Sequence, residues 1–425
     1  MGHHRNKAAF ALLPRWQQEK WKSARQAMSG EYCGIPDFYY TNQRKYEKYC
    51  KLPNGKLIPH ALTNKAFNNF PSFSRDVPDY DNNLYVISYY LQKIVGLMHQ
   101  GEYHESAVFA ATFAHYLQDA VCPGHAMENS LFPALLPFPK GKYWHLHRVI
   151  ESTYLKQEDL ISVKPVLLGA TVREAAYNLL NKLLNDVNIS LGLIIPHIQA
   201  IYQGNVKKHD KIIMQWSRLS VSLAVSAYYT AFCIAAKRFS ADELDQLKLI
   251  NLSDIPYFNR FTVWQKFGEP LDLMSHDPYM FEPLRDHALK RNDNASQVMK
   301  TVPLSVFIKQ GRRLVKQTFA RGFGAAGRSR ITLRIDGHIH AGLQTTFGIH
   351  SMIKSTKKEV FKILIGSDVN HMKEVFTSGP VACGAPARTI QLSFNRQAKY
   401  LRLATEGKLK DYLQIVWADP VLIRR

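Results

Sequence analysis

HYLQDAVCPGHAMENSLFPALLPFPKGKYWHLHRVIE, residues 115–151, is the stretch on which the reading of this chain turns. His115 and Asp119 stand four apart inside an apolar run that begins near Glu105, so a helix places both on one face. Cys122-Pro123-Gly124 stops that helix, and His125 follows at once in the turn. After a Pro-rich loop, His147 and Glu151 repeat the four-residue spacing at the start of another helix-like run. Imidazole nitrogen and carboxylate oxygen are zinc donors, and three histidines with two acids in one stretch supply most of a zinc site. One His–acid pair at helical spacing is an ordinary surface or capping arrangement. Two such pairs flanking a His in a Pro-Gly turn point to metal. His145 lacks the helical spacing to Glu151 and is expected outside the ligand set, while His99 and His104 flank a helix junction and are expected in solvent.

Upstream, residues 3–28 read as one amphipathic helix, with Ala9, Leu12, Leu13, Trp16 and Trp21 near one stripe. Residues 29–83 are loop-rich, dense in Tyr, Asn and Pro, and hold Asp37 in GIPDFYY and His60 in LIPHALT. Long loops of this kind are uncommon unless they carry function. Apolar residues then recur at three and four over 84–100 and 105–120, joined around Gly101. The helical pattern continues over 147–157, 170–204 and 208–238, with a break at Pro196. Residues 1–240 therefore read as an all-α bundle with inserted loops. Leu219–Ala236 is eighteen residues without a charge, long enough to raise a membrane span. Its serines, threonine and tyrosine pair favour a buried bundle helix, so no transmembrane segment is expected.

Downstream the character changes. Residues 241–304 hold scattered Pro, Asp and aromatics without a sustained period and read as a connecting region. From about Pro303 the period becomes two: ITLRID alternates Ile331, Leu333 and Ile335 with polar residues, and VFKILIG, TIQLSF and YLRLAT follow between turn residues. Short alternating strands at this spacing predict a β-sandwich over 305–425. The chain is thus expected to be multidomain.

Composition agrees with a folded protein: 425 residues, 46% hydrophobic and 12% aromatic. Lys and Arg outnumber Asp and Glu by 55 to 34, a formal charge of +21 that favours polyanionic partners such as nucleic acid, anionic lipid or acidic glycan. Five cysteines at irregular spacing show no disulfide framework; Cys33 and Cys50 are a candidate pair if the protein is exported. The start MGHHRNKAAFALLP has no long apolar core of a signal peptide.

At HYLQD, PGHA and HRVIE the chain resembles the zinc-dependent phospholipase C family, which shares its fold with single-strand-specific zinc nucleases. The matching positions are His115, Asp119, Pro123, His125, His147 and Glu151, extended upstream by Asp37, His60 and His4, which precedes Leu13-Pro14. The nuclease branch's Gly-Gly-Asn and Asn-Leu-His segments are absent, so the phospholipase branch is the closer match. The resemblance covers roughly residues 1–240 and implies two or three Zn2+ ions in a cleft of the bundle. One zinc would take Asp37, His60, His115 and Asp119; a second His125, His147 and Glu151; a third His4, sharing Asp119. Asp37 is implied as the group that orients or deprotonates the attacking water. The family completes its third site with an N-terminal Trp, and here the chain reads Met-Gly-His-His.

RIDGHIHAGLQTTFGIHS, VFKILIGSD, EVFTSG and IVWADPVLIR resemble the novel carbohydrate-binding module family, a β-sandwich appended to secreted glycan-active enzymes. Phe347-Gly348-Ile349 and Trp417-Ala418-Asp419-Pro420 carry most of that match. Trp417 is either a platform for a sugar ring or a core residue, the latter being commoner in a terminal strand. The resemblances together imply a secreted or periplasmic zinc phosphodiesterase, phospholipase C-like, acting on phospholipid or another phosphodiester, with a sandwich that binds glycan or cell surface. The alternatives are a nuclease on single-stranded nucleic acid, and a non-catalytic glycan-binding protein whose bundle is held by metal.

Overall fold

The structure is a computed structural model that describes residues 2–39, 41–55, 58, 78–122, 160, 162–255, 257–258, 284–290, 300–327, 329–406 and 414–425. Two compact units divide the chain between Leu244 and Asp245, the first helical and the second built of strands.

The helical unit opens with α1 (Gly2–Ala11), α2 (Arg15–Lys20), α3 (Arg25–Met28), α4 (Ile35–Phe38) and α5 (Gln43–Cys50). The single helix expected over 3–28 is therefore broken. Pro14 has no N–H to continue α1 and sits extended (φ −56°, ψ 146°) as the cap of α2. The apolar stripe survives the break, because Ala9, Leu13, Trp21 and Met28 are all buried. Four longer helices form the body: α6 (Pro78–His99), α7 (Tyr103–Ala120), α8 (Val172–Gly192) and α10 (Val206–Ala236), each packed against the other three. Between the last two lies α9 (Ile194–Tyr202), and α11 (Ala241–Gln246) closes the helical series. The break between α8 and α9 falls at Leu193 rather than Pro196. Pro196 sits in the first turn of α9, where a missing N–H costs nothing. Helix α10 is long and apolar enough to cross a membrane by length and composition, yet 67% of its most apolar window is buried in the bundle.

Aromatic packing ties the first helices to this body. Trp21 lies 4.5 Å from Phe232 and 5.3 Å from Tyr228 between ring centres, and its indole N–H donates to Ser106 Oγ at 2.9 Å. The Arg5 guanidinium lies over Trp216, 3.6 Å from the ring centre, and so fastens α1 to α10. His99 and His104 are exposed; His104 pairs with the Tyr32 hydroxyl at 2.9 Å.

In the second unit, a six-stranded antiparallel sheet runs in the order β12 (Arg388–Ser393), β9 (His340–Ile349), β14 (Gln414–Arg424), β7 (Gly322–Ala326), β3 (Leu284–Arg285). Its sixth strand, β1 (Leu249–Asn251), pairs with the far half of β14. The facing sheet has the order β11 (Lys373–Ala382), β10 (Lys358–Gly366), β13 (Tyr400–Thr405), β8 (Arg330–Arg334), β2 (Tyr257–Phe258). A third sheet, β4 (His287–Lys290), β5 (Lys300–Gln310) and β6 (Arg313–Phe319), packs Leu304, Val306 and Phe319 on Val416 and Ala418 of β14. The expected connector, 241–304, thus supplies β1 to β4 and the start of β5. Its described strands are mostly two to four residues long, too short to show a period.

Phe347 and Trp417 from one sheet meet Phe361 and Phe376 from the other, with ring centres 4.9–5.5 Å apart across the core. Along β14 the side chains alternate: Trp417 points inward and Val416 and Ala418 outward beneath the third sheet.

Candidate active site in the helical unit

Helix α7 is apolar on every side, and its residues from Ser106 to Gln118 are all buried, so packing alone draws its few polar groups inside. His115 is one of them, 7% exposed. Its partner one turn on, Asp119, places Oδ2 3.0 Å from His115 Nε2. The short helix α4 packs against α7 and brings Asp37 to the same atom, with Oδ1 3.7 Å from His115 Nε2. Two carboxylates separated in sequence by most of the N-terminal half of the unit therefore face one imidazole nitrogen.

Charge explains what this does to the ring. Burial works against the charged imidazole, but the Asp119 carboxylate, a hydrogen bond with Cys33 and the Asp37 charge outweigh it and hold the pKa well above its ordinary value. Two ligands about 2.0–2.1 Å from a tetrahedral zinc lie about 3.3 Å apart, and the two N···O separations of 3.0 and 3.7 Å bracket that spacing. The imidazole nitrogen and carboxylate oxygens are zinc's usual donors, so these three residues fit the ion in kind, and His115 stands near ligand spacing from each carboxylate. Among the described residues, however, no group of three or more His, Cys, Asp or Glu closes into a metal-holding set as it stands. Asp37, with its side chain 58% exposed, would have to draw in.

Of the other expected ligands, His60, His125, His147 and Glu151 lie outside the described residues. His4 lies on α1, which packs against α7; its side chain is also outside the described set. Ile58 accepts at its carbonyl from the hydroxyl of Tyr116, the neighbour of His115, at 2.9 Å. Cys33 is the site residue that sequence reasoning missed, having been weighed only as a partner for Cys50. Cys33 and Cys50 are not joined to each other, and burial pushes the Cys50 thiol up to about 11. Beside Asp37, Phe38 is 40% exposed and Tyr39 is buried in the core; Tyr40 lies outside the described residues.

The strand unit resolves the ambiguity over Trp417. It is fully buried against Phe347 and Phe361, and so is core rather than a platform for sugar. Asp419, exposed and left-handed (φ 40°), marks the irregularity where β14 shifts register between Ala418 and Val421.

The family model for the NPCBM/NEW2 domain matches residues 286–423. The C-terminal sandwich is an NPCBM/NEW2 domain. It begins earlier than 305 because β4 and β5 belong to it, and β1 to β3 extend its sheets from residues before the match. Similar solved structures include a CBM51 module with INT domains from Clostridium perfringens ZmpB in complex with GlcNAc, at 16% identity and a TM-score of 0.29 over 42% of this chain and 32% of that one. A CBM51 module from Clostridium perfringens GH95 in complex with methyl-galactose is similar at 12% identity and a TM-score of 0.27, over 41% of this chain and 99% of that one. Tandem CBM51 modules of Sp3GH98 from Streptococcus pneumoniae are similar at 19% identity and a TM-score of 0.30, over 42% of this chain and 47% of theirs. This chain thus spans about a third of the first of these structures. No curated protein matches the chain.

Proposed function

We propose that the helical unit is a zinc-dependent phosphodiesterase of the phospholipase C kind, and that the NPCBM/NEW2 domain attaches it to glycan. The observation that carries the first half is the convergence of Asp37 Oδ1 and Asp119 Oδ2 on His115 Nε2. Asp37, His115 and Asp119 would hold one zinc; by the resemblance His60 completes it, and His4, His125, His147 and Glu151 hold the others. Zinc, when bound, supplies the Lewis acidity that makes water nucleophilic near neutral pH and neutralises phosphate charge. The protein's part is positional. Rigid, buried α7 fixes His115 and Asp119, while Asp37 on the short α4 reaches solvent and can take the proton of the attacking water. The match to the NPCBM/NEW2 domain supports glycan as the sandwich's ligand, and a secreted or periplasmic enzyme is the corresponding setting. The excess of 55 basic over 34 acidic residues favours a second reading, a nuclease on single strands.

Hydrolysis of a chromogenic phosphocholine ester by the zinc-loaded protein tests the proposal, with single-stranded DNA as the competing substrate. Release of the chromophore, lowered about a hundredfold or more in Asp37→Asn, is expected. Cleavage of DNA alone would favour the nuclease. Inertness toward both would leave a metal-stabilised glycan-binding protein.

A further inference from the structure

Four of the eleven large apolar side chains exposed among the described residues fall within 189–206: Ile189, Ile195, Tyr202 and Val206. They lie on three consecutive helices that pack on one another, α8, α9 and α10. Ile195 and Tyr202 stand seven apart on α9, two helical turns along one face, with exposed Gln199 between them. The chain then turns tightly: Gly204 is left-handed (φ 61°), Asn205 N–H returns to the Ala200 carbonyl at 2.8 Å, and Val206, 67% exposed, opens α10 beside the end of α9. Underneath, His197 Nε2 meets His209 Nδ1 at 2.9 Å and fastens the corner.

Lys207 and Lys208 follow Val206 directly and Lys211 lies a turn further on, with Asp210 the one acid among them; among the described residues none of the three lysines forms a salt bridge. The first turn of α10 holds no acid. Cations there oppose the positive end of the helix dipole, a placement the fold gains nothing from. An apolar tip that runs into a helix start with three lysines against one acid is the chemistry that sinks into a lipid interface and pairs with anionic headgroups.

We infer that the α9–α10 corner docks the protein on an anionic phospholipid bilayer. The inference goes beyond the hydrolase reading, and its test needs no turnover. The whole protein is sedimented with vesicles of phosphatidylcholine and of phosphatidylcholine mixed with phosphatidylserine. Wild-type protein should partition to the mixed vesicles. Lys207→Glu with Lys211→Glu should lower that partitioning by about fivefold or more per site, and Ile195→Ser with Val206→Ser should lower it at high salt as well. All positions changed are exposed, and unaltered hydrolysis or glycan binding would report an intact fold. Equal partitioning of wild type and both variants would overturn the inference. So would absent vesicle binding together with self-association that the apolar variant abolishes, which would make a second copy the occupant.

Discussion

In the proposed centre, zinc and a proton would compete for the same nitrogen of His115. The Asp119 carboxylate and its neighbours raise the imidazole's pKa despite burial, so in metal-free protein the ring keeps its proton well above pH 6.5. The stability that this charged ring contributes is present below its unfolded pKa and is lost as pH rises through the raised folded value. Zinc bound there would have to displace the proton, so its affinity should climb with pH, by about tenfold per unit for each proton released. Competition with a chelator at several pH values checks this, and a flat profile would contradict it. His115 and Asp119 were legible in sequence because helical spacing encodes their shared face. Asp37 entered only through a family resemblance, since nothing local in GIPDFYY says that α4 packs on α7. Cys33 was not legible at all: its bond to His115 is a long-range contact that no periodicity records.

At the level of elements, strand β14 organises the sandwich, flanked by β9 on one edge and by β7 and then β1 on the other. Gly322 lets β7 come close. Its φ is +137°, and a Cβ there would lie 2.1 Å from the Trp417 carbonyl oxygen, a backbone atom that cannot swing away. Gly322→Ala should therefore lower the sandwich's stability by about 2–5 kcal/mol. Gly379→Ala, also at positive φ (+64°) but with nothing within 4 Å, should cost only about 1–2 kcal/mol. Calorimetric unfolding of the two variants checks the contrast, and equal small shifts would contradict the close β7–β14 pairing. The alternation in ITLRID, VFKILIG, TIQLSF and YLRLAT announced β8, β10, β12 and β13, because strands with an inner face must alternate. The same logic fails for β1 to β4, whose few residues hold no full repeat. Among the described helices the apolar period was sound and the breaks were less so: Pro14 ended one helix early, and Pro196 was accommodated in a first turn, while the helix expected over 147–157 lies outside the described residues.

The whole molecule joins a helical unit, buried around α7, to an NPCBM/NEW2 sandwich with its own aromatic core. That division was visible in the change of hydrophobic period, although the second unit starts near Asp245 and absorbs the expected connector. What each unit does rests on different ground. The sandwich has a family; the helical unit has a site geometry. The central claim, that the helical unit is a zinc centre, is tested most directly by elemental mass spectrometry of the purified protein, alongside His115→Ala and Asp119→Ala. The account predicts two or three zinc ions per chain, with at least one lost and the helical unit unfolding at lower temperature in each variant. No zinc even after it is supplied, or the same content in both variants, would contradict it.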